Sequence, residues 1–230
     1  HHGQLTRRRP ATGQYNLRMA APTFSECDLR QALDNALPAW RRAGHRLPVH
    51  LSGSPDWARA AAAALANDDT LWVGPDAPHS VRSLGFRRVR ESLGTECDRV
   101  IFNALSGFDP DALGAAAGLP RAGGCLILLT PPAADWPDEE DAELARIIPF
   151  PFTPADAGSA YIRRLVRLLG ESRQSWTVAE DGSLPVVPLP AISAGDPPLT
   201  AAPCRTPDQA EAVKHVLAVA RGRPRRPLVL

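Results

Sequence analysis

Arg163, Arg164 and Arg167 cluster on one short segment of the chain. Guanidinium groups form bidentate bonds to phosphate, so the cluster is a candidate RNA contact. It fits a solvated helix face equally well, which is the commoner use of charge on a helix. Arg87, Arg88 and Arg90, and the run from Arg221 to Arg226, pose the same choice. Ser52-Gly53-Ser54 follows a short apolar stretch and precedes Pro55, a residue suited to the first turn of a helix. α/β proteins bind phosphate at such junctions. The segment lacks the full G-x-G-x-x-G pattern, and a tight strand-to-helix turn explains it as well. Ser106, His79 and Asp109 supply the side-chain types of a nucleophilic triad, but no G-x-S-x-G surrounds the serine. His45, His50, His79 and His215 show no metal-ligand spacing. The four cysteines, Cys27, Cys97, Cys125 and Cys204, form no CxxC pair, which argues against zinc and for free thiols in a reducing cytosol.

Composition narrows the classes further. The chain has 230 residues, 44% hydrophobic and 22% charged, which is a globular balance. Lys+Arg is 26 against 25 Asp+Glu, a net charge of +1, whereas a strongly basic nucleic-acid module shows more imbalance. Lys214 is the only lysine. No apolar run approaches the length of a membrane span, and the longest, such as Cys125–Leu129, have the length of a buried strand. Residues 1–21 are basic and aperiodic, without the apolar stretch of a secretory signal. They are expected to be disordered or extraneous to the fold.

The elements that must position these side chains follow from periodicity. Leu29, Leu33, Ala36 and Leu37 predict a helix, with Asp28 as N-cap and Gly44 as the stop. Leu47–Leu51 reads as a strand, Pro55 to Ala66 as a helix, and Thr70–Val73 as a strand. Ser80–Leu93 reads as a helix and Arg99–Phe102 as a strand. Asp109 and Pro110 open the next helix as N-cap and first residue. Gly124–Leu129 is almost continuously apolar, the pattern of a strand covered on both faces. Pro131–Glu143 reads as a surface loop, and Thr153–Leu169 as a helix opened by Thr153 and Pro154. Trp176–Val178 and Pro185–Val187 flank Asp181-Gly182, which predicts a short hairpin. The alternation of strand and helix implies an α/β fold: a Rossmann-like three-layer domain with a mostly parallel sheet and right-handed crossovers.

Three ordered segments carry a resemblance. They are Val100–Leu113, with Gly-Phe-Asp in its loop; Leu119–Pro131; and Thr206-Pro-Asp-Gln-Ala with Arg221-Gly-Arg-Pro and the terminal Leu-Val-Leu. In this order the chain resembles the N-terminal region of the bacterial tRNA(Met) cytidine acetyltransferases, from about Ala36 to Leu230. The resemblance implies a modular parent: an N-terminal α/β domain, a helicase-like P-loop ATPase domain, a GNAT-type acetyltransferase domain and a tRNA-binding tail. It implies acetylation of the wobble cytidine of elongator tRNA(Met), with acetyl-CoA as donor and ATP, with magnesium, consumed. The partners implied are that tRNA and the parent's own ATPase and acetyltransferase domains, with no membrane. It implies one site residue, Gln209, as a nucleotide contact in the parent, and a side-chain amide suits an adenine edge because it both donates and accepts.

The chain departs from that parent in one respect: it contains no G-x-x-x-x-G-K-[ST]. No complete catalytic centre is therefore expected in this piece alone. The expected organisation is an N-terminal α/β domain over 22–183, a proline-rich linker over 184–205, and the start of the ATPase domain over 206–230. Because Leu228-Val-Leu230 reads as an interrupted buried strand, the chain is expected to be a piece of a longer protein. The alternatives at this point are a free-standing nucleotide- or ligand-binding domain of Rossmann or flavodoxin type, and a non-catalytic interaction module.

Overall fold

The computed structural model describes residues 24–191 and 206–220. The contacts separate into two compact units, one ending at Pro190 and one running from Ala191.

In the first unit the chain opens with α1 (Glu26–Arg42). Its N-cap is Ser25 rather than Asp28. The Ser25 hydroxyl accepts from the Asp28 amide, and the Asp28 carboxylate accepts from the Ser25 amide at 2.8 Å. This reciprocal box satisfies two orphan donors of the first turn. These hydrogen bonds also hold the Asp28 carboxyl below its usual value. After β1 (Leu47–Ser52), Pro55 occupies the first turn of α2 (Pro55–Leu65), as expected. β2 (Thr70–Val73) and β4 (Cys97–Asn103) fall where apolar runs predict them. α3 (Pro110–Ala117) begins on the Asp109 cap, whose carboxylate accepts from the Ala112 amide at 3.0 Å.

Local pattern and structure part in five places. Ser80–Leu93 is not an α-helix: it holds the short strand β3 (Arg82–Leu84) and a 3₁₀ segment over Phe86–Ser92. Phe86 and Val89 are the buried residues of that 3₁₀ segment, a three-residue spacing that suits either helix type. The strand expected at Gly124–Leu129 is longer, β5 (Pro120–Thr130). The loop 131–143 anchors a buried Trp136 in a 3₁₀ turn, before the single-turn α4 (Leu144–Ile147). The helix expected from Thr153 is split: Thr153 and Asp156 form a capping box on a 3₁₀ turn, and α5 (Ala160–Glu171) starts afresh after Gly158.

The hairpin is the fifth. β6 (Trp176–Ala179) pairs parallel with β1, and 185–187 joins no strand. That segment lies along the core instead. Leu184 and Val187 pack against it, and the carbonyls of Pro185 and Pro188 accept from the indoles of Trp176 and Trp40, both at 3.0 Å. Residues 192–205 of the expected linker lie outside the described residues.

The six strands form one all-parallel sheet in the order β3-β2-β4-β5-β1-β6. Side chains alternate between its faces. Leu47, Val49 and Leu51 of β1 and Cys125, Ile127 and Leu129 of β5 meet α1 and α2 in one core. Val100, Phe102 and Leu128 face the other core, which takes in α3, Trp136 and Ile162 of α5. Phe86, Phe102, Phe108 and Trp136 form a continuous aromatic chain there, with successive ring centroids 5.1, 6.1 and 5.6 Å apart. Such contacts add to area burial. The result is the Rossmann-like three-layer α/β architecture expected, in a fully parallel form.

At the amino ends of the strands, Arg99 is buried and spends its charge on three elements. It donates to the Leu65 carbonyl at the end of α2 and to the Asp34 carboxylate of α1, from its own place on β4. Removing one partner of such a group leaves a poorly solvated charge. Asp34→Ala should lower the unfolding free energy by roughly 2 kcal/mol, read as a shifted urea midpoint at unchanged m.

The second unit contributes α6 (Pro207–Ala220). Thr206 precedes it, and its hydroxyl accepts from the Gln209 amide at 3.2 Å.

Candidate functional site

In a parallel sheet the ligand crevice lies outside the carboxyl ends of the strands, where neighbouring connections leave for opposite faces. Here that point falls between β1, which leads into α2 on one face, and β5, whose continuation leads to α5 on the other. Ser52-Gly53-Ser54 lies there, as its sequence context predicts.

The polar groups of this junction are partnered by the chain itself. Glu180 directly follows β6, on the far side of β1. Its carboxylate accepts from the Ser54 amide at 2.6 Å and from the Ser54 hydroxyl at 3.0 Å. A carboxylate at the first turn of α2 supplies the charge that a bound phosphate would bring there. Gly53 is needed for this approach: a Cβ on it would lie 2.6 Å from the Trp57 ring and 2.7 Å from the Glu180 Cβ. The Ser52 hydroxyl, in turn, accepts from the Ala133 amide at 2.8 Å, and the Gly53 amide donates to the Thr130 carbonyl at 3.2 Å. These donors and acceptors are occupied by protein groups.

The other candidates are dispersed. Arg163, Arg164 and Arg167 lie exposed on α5. Arg163 is held by Asp138 and by the Ser159 hydroxyl at 3.0 Å, and Arg167 lies 3.5 Å from Glu171. Arg88 pairs with Glu91 at 2.9 Å and Arg90 with Asp111 at 3.0 Å, while Arg221–Arg226 lies outside the described residues. Gln209 is exposed in the first turn of α6, in the second unit. Ser106, His79 and Asp109 form no triad: Asp109 is spent on its helix cap and on Arg146, and His79 is exposed in the loop after β2. Ser106 instead lines a crevice of about 470 Å³ with Gly74, Phe86, Arg87 and Arg146. A separate groove of about 530 Å³ is lined by Phe108, Tyr161 and the acidic run Asp138–Asp141. Among the described residues no group of His, Cys, Asp and Glu is placed to hold a metal ion. Cys97 and Cys125 are buried free thiols, and burial pushes Cys125 up to about 12.

Sequence reasoning missed Glu180. The signal was present only indirectly: a parallel edge strand ending at Ala179 brings its next residue to the same rim as Ser54. It also missed His50, which is buried on β1 and pushed down to about 4 by burial alone.

The geometry defines a class: an α/β module with a doubly covered parallel sheet and a self-occupied carboxyl-end crevice. Comparison with known proteins gives the family. Residues 19–180 match the model of the family described as tRNA(Met) cytidine acetyltransferase TmcA, N-terminal, and the chain belongs to that family. Among its relatives is the tRNA(Met) cytidine acetyltransferase TmcA of Nitrosococcus halophilus, 37% identical over 212 residues, which are 88% of this chain and 28% of that protein. The proteins of the same name from Haloarcula marismortui and Citrobacter koseri are 32% and 33% identical, over 76% and 78% of this chain and 25% and 26% of theirs. The chain thus spans about a quarter of the length of these relatives. Among the described residues no helix is long and apolar enough to cross a membrane.

Two outcomes follow from the site. Glu180→Ala should cost about 1–2 kcal/mol of stability through the lost charge-assisted bonds, measured by urea unfolding. His50 gives a pH dependence of known sign. Its folded pKa, about 4, is below the ordinary histidine value of 6.5, so between those values the unfolded chain binds more protons. Stability should therefore fall as pH drops from 6.5 to 4. Wild type should lose about 3 kcal/mol more than His50→Gln across that window.

Proposed function

We propose that this chain is the N-terminal module of an ATP-dependent tRNA(Met) cytidine acetyltransferase. The parent acetylates the wobble cytidine of elongator tRNA(Met) with acetyl-CoA. Within it, the module acts as a scaffold with an accessory tRNA contact. The observation that carries this reading is the family match over 19–180, together with the name shared by the relatives. The scaffold role is supported by the Glu180 carboxylate at the junction where a Rossmann-like domain would otherwise hold a nucleotide. ATP with magnesium and acetyl-CoA then belong to other parts of the parent. Gln209, in the first turn of α6, would contribute a nucleotide contact only alongside them.

The accessory contact rests on α5. Arg163 is turned to Asp138, on the acidic side of that helix, and Arg167 makes only a long, exposed pair with Glu171 at 3.5 Å, so Arg164 and Arg167 are the residues most open to phosphate. Two neutralised phosphates give only a shallow salt dependence. This is consistent with a module of net charge +1 that is not the main tRNA-binding surface.

The experiment is a chimera in which residues 24–190 replace the matching region of the Nitrosococcus halophilus protein. It should retain tRNA acetylation, whereas the present chain alone should neither hydrolyse ATP nor acetylate tRNA. Turnover by the chain alone would overturn the reading. In the chimera, replacing Arg164 and Arg167 by Ala should weaken tRNA binding by about tenfold or less at low salt and leave ATP hydrolysis without tRNA unchanged. Unchanged tRNA affinity would leave the scaffold role alone.

A further inference from the structure

One patch of this sheet is polar, with its side-chain nitrogen and oxygen atoms enclosed. On β1, Leu47, Val49 and Leu51 face the core of α1 and α2, so His50 and Ser52 face the opposite side. Thr177 lies between Trp176 and Val178, which face the α1 and α2 core, and so shares the His50 side. His50 and Thr177 are direct register partners across the β1–β6 pair.

The proton positions follow from the bonds already made. The Thr130 hydroxyl donates to the Pro131 carbonyl at 2.8 Å, which spends its only proton. With that proton donated to the Pro131 carbonyl, the contact of 2.8 Å between His50 Nε2 and Thr130 Oγ1 is assigned as an Nε2–H donor to that oxygen. This assignment gives the Nε2–H neutral tautomer and leaves His50 Nδ1 as an acceptor. Burial favours that neutral form. His50 Nδ1 and Thr177 Oγ1 are both enclosed and without a protein partner. One is an acceptor and the other carries a donor, on neighbouring strands and on one face. Buried polar groups left unpaired cost about 1–3 kcal/mol each, and a single enclosed water commonly relieves two of them.

We infer that His50 Nδ1 and Thr177 Oγ1 form a binding site for one structural water, which accepts from the threonine hydroxyl and donates to the imidazole. The water completes a polar string from β6 to β5: Thr177, water, His50, Thr130 and the Pro131 carbonyl. It joins the four-residue edge strand β6 to the sheet by side chains as well as backbone. The residue after that strand is Glu180, so the string helps hold the carboxylate on Ser54.

Two measurements on the intact chain test this. In wild type, nitrogen shifts of the His50 ring should report a protonated Nε2 and a hydrogen-bonded, unprotonated Nδ1. A ring proton of His50 should show a cross-peak to a slowly exchanging water, and Thr177→Val should abolish it. A protonated Nδ1, or no water cross-peak in wild type, would overturn the assignment. The second measurement is a double-mutant cycle of His50→Gln, which keeps a donor toward Thr130, and Thr177→Val. The two substitutions should couple by about fivefold in the unfolding equilibrium constant. Additive effects would contradict it, and coupling without the water signal would replace the water with a direct bond.

Discussion

Parallel strands cannot be joined by tight turns, because the chain leaves one end of a strand and must enter its neighbour at the other. All five strand pairs of this sheet are parallel. The chain therefore crosses over the sheet repeatedly, which buries the central strands on both faces and makes them largely apolar. The same constraint delivers the ends of β1, β5 and β6 to one rim. There Ser54, the segment after Thr130 and Glu180 meet, although they are far apart in sequence. The closure of the crevice by Glu180 is thus a product of topology, and the carboxylate satisfies the first turn of α2 from the adjacent edge strand.

The polar groups of the first unit cluster at the two ends of the sheet and along one seam. Arg99 binds the amino end by linking α1, α2 and β4. Glu180 and Ser52 bind the carboxyl end. Between them, the string through His50 and Thr130 crosses an otherwise apolar sheet at the β1–β5 pair. Each group is specific in a way that apolar packing is not, because a slip in register would leave a buried donor or acceptor unpaired. The cost is a fold sensitive to acid, since His50 must stay neutral to remain in place.

Much of this architecture was legible in the chain. Pro55 and Pro110 mark helix starts because that position has no hydrogen bond to lose, and Cys125–Leu129 marks a central strand because it is apolar on both faces. The failures share a cause. Asp181-Gly182 is good turn chemistry, yet the strand before it pairs in parallel with β1, and the segment after it is held by indole donors from Trp40 and Trp176. Those partners are distant, and local preference does not report them. Ser80–Leu93 has helical spacing at Phe86 and Val89, but a three-residue interval does not separate a 3₁₀ segment from an α-helix. The site divided the same way: the Ser52–Ser54 junction was visible from its flanks, while Glu180 required knowledge of the sheet order.

In the proposed scaffold role, the Glu180 carboxylate takes the place at the first turn of α2 where a phosphate would otherwise bind. The most direct measurement is an NMR titration of the intact chain with pyrophosphate, following the Gly53 and Ser54 amides. Both should stay unmoved through millimolar ligand, because Glu180 holds the Ser54 donors. A saturable shift of the Ser54 amide in the wild-type chain would contradict it.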